Sequence, residues 1–292
     1  MKTLLLFLLL LVATAALAAP ADYRVYYVKG SVMKKGGRAP LNRGDSLSVQ
    51  DILQVSGSSQ VYLICRDFSL VKFTRPGVYT LATAAPCPQK QSSLTASYFR
   101  YVWEELRSHH GSPESNPRHY MRNKGAVSRG DCPMVRTALY TDTIYAAPGT
   151  NLQLHWKAAL DEAFVSVFPD DRDRVPVKQV AIRNNKPLSL ALLVSLAKEE
   201  GELRWFITAK QTEGCQRNYL KLLTTAEYRA RVKSLLQQVV ATTPAETAFM
   251  KAFVLEENHF LAEALKYYAE AFRLDPRNPR TEAAIKHYHE IK

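Results

Sequence analysis

Short apolar runs, partly alternating with polar positions, dominate residues 20–90 of the chain. Glycine or serine turns separate the runs about every eight to twelve residues, which is the spacing of small all-β domains. This pattern predicts a compact β domain over 20–90. The apolar positions are Val25, Tyr27, Val32, Leu47, Val49, Ile52, Leu53, Val55, Val61, Leu63, Leu70, Val71, Phe73, Val78, Tyr79 and Leu81.

Residues 132–225 return to a β pattern after a connector. We expect six or seven short strands here, arranged as a sandwich with Trp156 and Trp205 as core anchors. Because His155 lies between Leu154 and Trp156, strand alternation predicts that it faces the other way and is exposed. The predicted strands include LQLHWK, AFVSVF, VPVKQVAI, PLSLALL, ELRWFITA and RNYLKLL.

The segment 91–131 predicts one helix followed by a flexible surface loop. Apolar residues recur every three or four positions, so they form a single stripe. The helix either caps the β domain or binds a partner, and capping is favoured. The stripe consists of Leu94, Tyr98, Tyr101, Val102 and Leu106.

Residues 226–292 carry a helical period and predict an α-helical tail. The first helix has Thr224 or Thr225 as its N-cap, and the second has Pro244 near its first turn. The fold class predicted for the whole chain is therefore multidomain and mainly β, with a helical C-terminal tail. The apolar positions are Tyr228, Val232, Leu235, Leu236, Val239, Val240, Leu261, Ala264, Leu265, Tyr268 and Phe272.

The first nineteen residues have the pattern of a secretory signal peptide. Lys2 precedes the apolar run Leu4–Val12, and Ala16-Leu17-Ala18 gives a small-residue cleavage site. No later stretch stays apolar for about eighteen residues, so we expect no transmembrane segment after cleavage. The predicted location is the periplasm or the exterior.

Four cysteines then enter an oxidising compartment, where an even count allows two disulfides in three connectivities. We favour Cys65–Cys87 with Cys132–Cys215, since each pair stays within one predicted module. The wide spacings are unlike the close pairs of zinc sites, so no metal site is predicted.

The net charge of +12 favours anionic partners. The basic residues form no block interleaved with aromatics, so nucleic acid is not an expected partner. A solvated basic surface without a specific partner is the stronger interpretation of this charge. Among partners, another envelope protein is expected, with peptidoglycan or a similar anionic polymer as the alternative.

The N-terminal β pattern resembles the FecR domain family. The likeness comprises Gly30-x-Val32, the turn Leu41-x-x-Gly44-Asp45-x-Leu47, Asp51-Ile52-Leu53 and the run 58–63. It covers about 60 residues and implies a small periplasmic β domain of bacterial sensing and envelope proteins. The family's usual Asp-Gly hairpin is here Cys65-Arg66-Asp67-Phe68.

The tripeptide Arg43-Gly44-Asp45 is the sequence of an adhesion signal, but we interpret it as a turn. Glycine supplies an unusual φ, and the aspartate carboxylate can accept from nearby backbone N–H groups. A second copy, Arg129-Gly130-Asp131, follows the predicted loop.

Two further resemblances concern the rest of the chain. The order L-x-W, A-x-V-x-V, L-x-W-x-I over 132–225 is similar to immunoglobulin-like and fibronectin type III-like modules. Phe253–Pro279 resembles one tetratricopeptide repeat, whose small, aromatic, small and proline positions match Ala264, Tyr268, Ala271 and Pro276.

No phosphate loop, nucleophile elbow or zinc-protease motif occurs in the sequence, and we predict neither a catalytic residue nor a cofactor. The predicted function is non-enzymatic binding or scaffolding, or an accessory role in signalling, through protein–protein contacts, with envelope-polymer binding as the alternative. Tyr267, Tyr268 and Arg273 are the candidate protein-contact residues, although the spacing of Tyr268 also fits the core, which is the stronger interpretation.

Overall fold

The computed structural model describes residues 22–84, 87, 94–107, 135–138, 141–158, 162–170, 175–183, 186–198, 201–209, 217–237, 239 and 242–289. The predicted signal peptide, the Arg129-Gly130-Asp131 copy, Cys132 and Cys215 lie outside these residues. Contacts divide the chain into two compact units. Unit 1 comprises Met1–Ser92 and Val102–Arg107, and unit 2 comprises Ser93–Tyr101 and Ser108–Lys292.

Unit 1 contains two antiparallel sheets with strand orders β3-β1-β5-β6 and β2-β4-β7. Burial alternates along β4 and the first half of β5, whereas the last three residues of β5 are all buried, so the apolar alternation of the sequence is only partial. The strands are β1 Tyr23–Lys29, β2 Val32–Lys34, β3 Ser46–Leu47, β4 Ile52–Val55, β5 Gln60–Cys65, β6 Leu70–Phe73 and β7 Gly77–Thr80, and the short helix α1 Leu81–Ala84 follows.

The core of unit 1 contains many of the predicted apolar positions, whereas Val49 and Val78 of that prediction are 40% and 66% exposed. Val25, Val32, Leu53, Val61 and Leu63 have no exposed surface. Because each side chain contributes about 1.5–3 kcal/mol on full burial, this cluster stabilises both sheets.

The turn prediction for Arg43-Gly44-Asp45 is confirmed. Gly44 has a φ of +94°, a region that only glycine adopts without strain. The Asp45 carboxylate accepts from the backbone N–H of Asn42 at 2.8 Å. The tripeptide is therefore part of the strand connection that leads into β3.

The predicted helix of the connector is α2, Leu94–Arg107. In unit 1 its Trp103 is 7% exposed, lies edge-on to Phe68 at 6.3 Å between ring centroids, and has the Arg24 guanidinium over its ring. Arg24 also donates to the carbonyl of Leu106 at 3.0 Å. These contacts agree with the capping interpretation for the end of the helix.

Unit 2 contains a five-stranded sheet of order β13-β12-β15-β16-β9, in which β16 and β9 pair in parallel and the other neighbours are antiparallel. Two small sheets pair β10 with β14 and β8 with β11. The strands are β8 Val135–Thr137, β9 Thr143–Ala146, β10 Gln153–Leu154, β11 Trp156–Ala158, β12 Glu162–Phe168, β13 Lys178–Arg183, β14 Leu188–Ser189, β15 Glu202–Thr208 and β16 Asn218–Leu222.

Both predicted tryptophan anchors are buried, since Trp156 is 2% exposed and Trp205 has no exposed surface. The Trp156 indole donates to the carbonyl of Lys186. The Trp205 indole has no hydrogen-bond acceptor among the described residues. Both tryptophans therefore pack in the core as predicted, but only the Trp156 indole N–H has a hydrogen-bond partner among the described residues.

The strand expected over Pro187–Leu193 is wrong beyond its first residues. After β14 the chain forms helix α3, Leu190–Leu196. Leucine and alanine favour helix, and the buried positions 190, 193, 194 and 197 have the i, i+3, i+4, i+7 spacing of one helix face. A short apolar run cannot distinguish strand from helix by hydrophobicity alone, and here the helix buries it better.

The predicted helical tail is present as α4 Thr225–Leu236, α5 Pro244–Glu257, α6 Leu261–Leu274 and α7 Pro279–His289. Helices α5 and α6 form a hairpin around Asn258–Phe260, where His259 has a φ of +68°. Ala252, Ala264 and Ala271 have no exposed surface, so the two helices approach closely.

The C-terminal helices and the preceding sheet belong to the same unit. The Tyr145 N–H on β9 donates to the carbonyl of His259 at 3.0 Å, and the Tyr145 ring lies 5.3 Å from that of Phe260.

Taken together, the described residues form a mixture of several small sheets and helices with a helical C-terminal region. Within the described residues, no helix has both the length and the apolar character needed to cross a bilayer.

Candidate functional site

A groove of about 650 Å³ opens beside α4 in unit 2. Four segments of the chain line it: the loop after β9, one side of α4, one position on α5 and two positions on α6. Volumes of this size accommodate small ligands or a few side chains of a peptide. The lining residues are Ala147, Pro148, Gly149, Thr150, Asn151, Thr225, Tyr228, Arg229, Val232, Lys233, Leu236, Gln237, Lys251, Glu263 and Lys266.

The charged residues of the groove are predominantly basic. Arg229 and Lys233 are exposed and stand four residues apart on α4, so they share one helix face. Lys251 and Lys266 enter from α5 and α6, and Glu263 is the acidic lining residue. Four cations against one carboxylate give the groove a net positive charge, which attracts anionic groups.

The interactions of these cations differ. Lys266 donates to Glu263 at 2.7 Å, and the Lys251 ammonium lies 5.1 Å from the centre of the Tyr267 ring. Within the described part of the chain, neither Arg229 nor Lys233 has an ion-pair partner. The α4 pair is therefore the positive charge most available to a ligand.

The groove also has an apolar floor. Helix α4 begins with a capping box in which Thr224 and Glu227 bond each other's backbone N–H groups. Its apolar stripe then turns inward at Tyr228 and Leu235, which are buried. Val232 and Leu236 are only half-buried and line the groove. Part of the apolar stripe that the sequence predicts for this helix thus faces a ligand-sized space.

The opposite wall is the loop Ala147–Asn151. Gly149 has a φ of +85°, and the Thr150 hydroxyl accepts from the Ala147 N–H at 2.9 Å while the Thr150 N–H donates to the Ala147 carbonyl. These paired bonds give the wall a defined turn. The lining residues include no histidine or cysteine, and their carboxylate is ion-paired.

Of the sequence-predicted contact residues, Tyr267 lies beside the groove residue Lys251, and the three do not form a joint surface. Tyr268 has no exposed surface and donates to Glu256 at 2.6 Å, so its core interpretation holds and its contact role does not. Tyr267 is half-buried, and burial is the main cause that raises its pKa. Arg273 is exposed near the end of α6.

A second polar cluster is buried where side chains of α2, α5 and α7 meet. Glu246, 8% exposed, accepts from the Arg280 Nη2 at 2.8 Å and from the Tyr98 hydroxyl, and Arg280 is 6% exposed. The Arg280 guanidinium also lies over the Phe249 ring. The sequence offered no signal for this pairing beyond the position of Glu246 after the Thr243 N-cap. Its members satisfy one another, which suits a structural role.

Of the predicted cysteine pairs, Cys65–Cys87 forms a disulfide with its Cα atoms 5.9 Å apart. Asp67 lies close to both sulfur atoms. Because the thiols are consumed in the bond and Asp67 accepts from Ser69, this group does not fit a metal ion. The Cys132–Cys215 pair stays a prediction.

His259 provides a pH-dependent contribution to the stability of unit 2. Its Nδ1 lies 2.8 Å from the Thr141 hydroxyl, and burial lowers its pKa while Asp142 acts in the opposite direction. The unfolded chain therefore binds a proton more readily than the folded chain. We expect His259 to make its full contribution to stability above about pH 6.5. The free energy of unfolding should then fall as the pH drops below that value.

Urea unfolding from pH 7.5 to pH 5.5, followed by tryptophan fluorescence, checks this prediction. The control is His259→Asn, because asparagine tolerates the positive φ and does not titrate. We expect a steeper loss of stability at low pH for the wild type than for the variant. Equal slopes would remove His259 as the cause.

His155 is half-buried rather than fully exposed, and its ring lies beside that of His289 at 5.3 Å between centroids. Burial, and secondly His289, lowers the pKa of His155. Strand alternation correctly placed His155 on the opposite face from Leu154 and Trp156. The two histidines are 134 positions apart in the sequence, so the pair had no sequence signal.

Neither the protein-family models nor the curated proteins contain a match to this chain.

Proposed function

We propose that this chain is an exported bacterial envelope protein that acts without catalysis, as a scaffold that binds an acidic segment of another envelope protein. The binding site is the α4 groove. The observation that carries the proposal is the set of four cationic side chains around a half-exposed apolar floor. The leader pattern and the FecR-like and tetratricopeptide-like resemblances support the envelope location and the binding role.

The chemistry of the groove restricts its occupant. Ion pairs at exposed positions contribute only about 0–1 kcal/mol each, so Arg229 and Lys233 give orientation and encounter rate more than affinity. Burying apolar side chains against Val232 and Leu236 adds about 25 cal/mol for each Å² removed from water. The occupant is therefore a segment that combines carboxylates with at least one apolar side chain.

The alternative occupant is peptidoglycan or another anionic polymer. Such a polymer would use the same cations but would leave Val232 and Leu236 in contact with water. The half-exposed floor is the specific observation that favours a peptide. A purely electrostatic ligand would also lose affinity steeply with salt, whereas apolar burial would retain part of it.

Reversing the two unpaired cations of α4 is expected to weaken peptide binding by about tenfold or more. The change is Arg229→Glu with Lys233→Glu, and the probe is a short fluorescein-labelled peptide of glutamate and leucine. Fluorescence anisotropy measures the Kd. The matched control is Lys29→Glu with Lys35→Glu, which reverses two exposed cations of unit 1 with the same change in net charge.

Two results would contradict the proposal. One is equal weakening by both double variants, since that would reflect net charge alone. The other is retention on isolated peptidoglycan sacculi that α4 charge reversal abolishes, with no measurable binding of the glutamate–leucine peptide. That second pattern would assign the groove to an envelope polymer.

A further inference from the structure

Two histidines from distant parts of the sequence meet at the surface of unit 2. His155 lies between β10 and β11, and His289 is the last residue of α7. The His155 Nε2 and the His289 Nδ1 are 3.4 Å apart, and the ring planes stand at 82°. This separation exceeds the usual 2.7–3.2 Å of an N–H hydrogen bond, so a direct bond explains the pair poorly.

The 3.4 Å separation of the two nitrogens matches that of two ligands on one tetrahedral metal ion. Zn–N bonds of about 2.0–2.1 Å at tetrahedral angles place two ligand nitrogens about 3.3–3.4 Å apart. Adjacent ligands in a square-planar site would be closer, at about 2.9 Å for the same bond length. The geometry points to a Zn²⁺ site in which His155 Nε2 and His289 Nδ1 supply two tetrahedral positions. Imidazole is a preferred ligand of Zn²⁺, and this role goes beyond peptide binding in the groove.

Each histidine lies next to a buried residue in the sequence. Leu154 and Trp156, on either side of His155, are 4% and 2% exposed, and the His155 carbonyl accepts from the Ala138 N–H at 2.9 Å. Tyr288, beside His289, is 8% exposed and packs against the Tyr268 ring. The ring positions are therefore preorganised, which lowers the entropy cost of binding an ion.

The surroundings suit a cation with water as its other ligands. In the parts of the chain that the structure describes, no third histidine, cysteine or carboxylate joins the pair. His289 is exposed, so water can fill the two remaining positions. An open site of this kind binds the ion reversibly.

The test is isothermal titration of ZnCl₂ into the mature, metal-free chain prepared without a polyhistidine tag. We expect a site of one Zn²⁺ per chain, weakened about tenfold or more by either His155→Ala or His289→Ala. The control His287→Ala removes an imidazole from the same helix. His287 is two residues from His289, whereas residues on one helix face are three or four apart. It should leave the Zn²⁺ affinity unchanged.

Co²⁺ gives a second readout, because a tetrahedral Co²⁺ complex has intense visible absorption. We expect this absorption in the wild type and in His287→Ala, and its loss in the other two variants. Circular dichroism of each variant checks that the chain is folded. The absence of Zn²⁺ binding, or Zn²⁺ binding that withstands both His155→Ala and His289→Ala, would overturn the proposal.

Discussion

Replacing Glu246 with alanine is expected to lower the free energy of unfolding of unit 2 by about 3–5 kcal/mol. The change removes the carboxylate that faces Arg280 at 2.8 Å and accepts from the Tyr98 hydroxyl. A guanidinium that is 6% exposed then loses a counter-charge that water replaces poorly. Urea unfolding at pH 7.5 measures the loss through the fluorescence of Trp156 and Trp205.

The double variant Glu246→Met with Arg280→Met separates charge from packing. Apolar residues of similar volume remove both charges together, so we expect stability within about 1 kcal/mol of the wild type, or above it. A double variant as unstable as Glu246→Ala would show that the pair contributes net stability by itself. A loss below about 1 kcal/mol for Glu246→Ala would contradict the buried-pair account.

Removing the Cys65–Cys87 disulfide is expected to destabilise unit 1 by about 3 kcal/mol. The bond closes a loop with a sequence separation of 22, and in the chain-entropy description it restricts the unfolded ensemble. The variant is Cys65→Ala with Cys87→Ala. Urea-dependent hydrogen exchange of peptides from β5 and β6, read by mass spectrometry, reports on unit 1 separately.

Reduction of the wild type provides the control, because it opens the bond without creating a cavity at Cys65, which has no exposed surface. We expect reduction to account for most of the loss in the variant. Unchanged exchange in β5 and β6 after reduction would show that the disulfide does not stabilise this sheet.

The sequence was most informative where local chemistry decides the structure. The apolar positions Val25, Val61 and Leu63 predicted strands whose inward faces are buried. The left-handed turn at Gly44 followed from the dipeptide Gly44-Asp45, because glycine and aspartate both have local reasons to occupy a turn. Strand and turn signals of this type depend on neighbours within a few residues.

Prediction failed where tertiary packing chose between local alternatives. The run at Leu190–Leu196 has the hydrophobicity of a buried strand, but its burial follows a helical period. The periodicity of α4 likewise identified a helix face, yet it could not show that Val232 and Leu236 would stay half-exposed. Which part of an apolar stripe is covered depends on the elements that pack against it.

The candidate site could not be predicted from the sequence because its parts are far apart in the chain. The groove combines a loop at Ala147–Asn151, the α4 cations and Lys266. None of these segments carries a motif of its own. The predicted contact residues Tyr267 and Arg273 came from the helical pattern of the tail, which does not reveal where a concave space forms.

The central claim is that the α4 groove takes an acidic, partly apolar peptide, and methyl NMR tests it most directly. Titration of the glutamate–leucine peptide into valine- and leucine-labelled protein should shift the methyl signals of Val232 and Leu236. The methyl signals of Val78 and Val175, which are 66% and 75% exposed elsewhere, should stay in place. Shifts confined to those exposed valines, or no shifts at saturating peptide, would contradict the account.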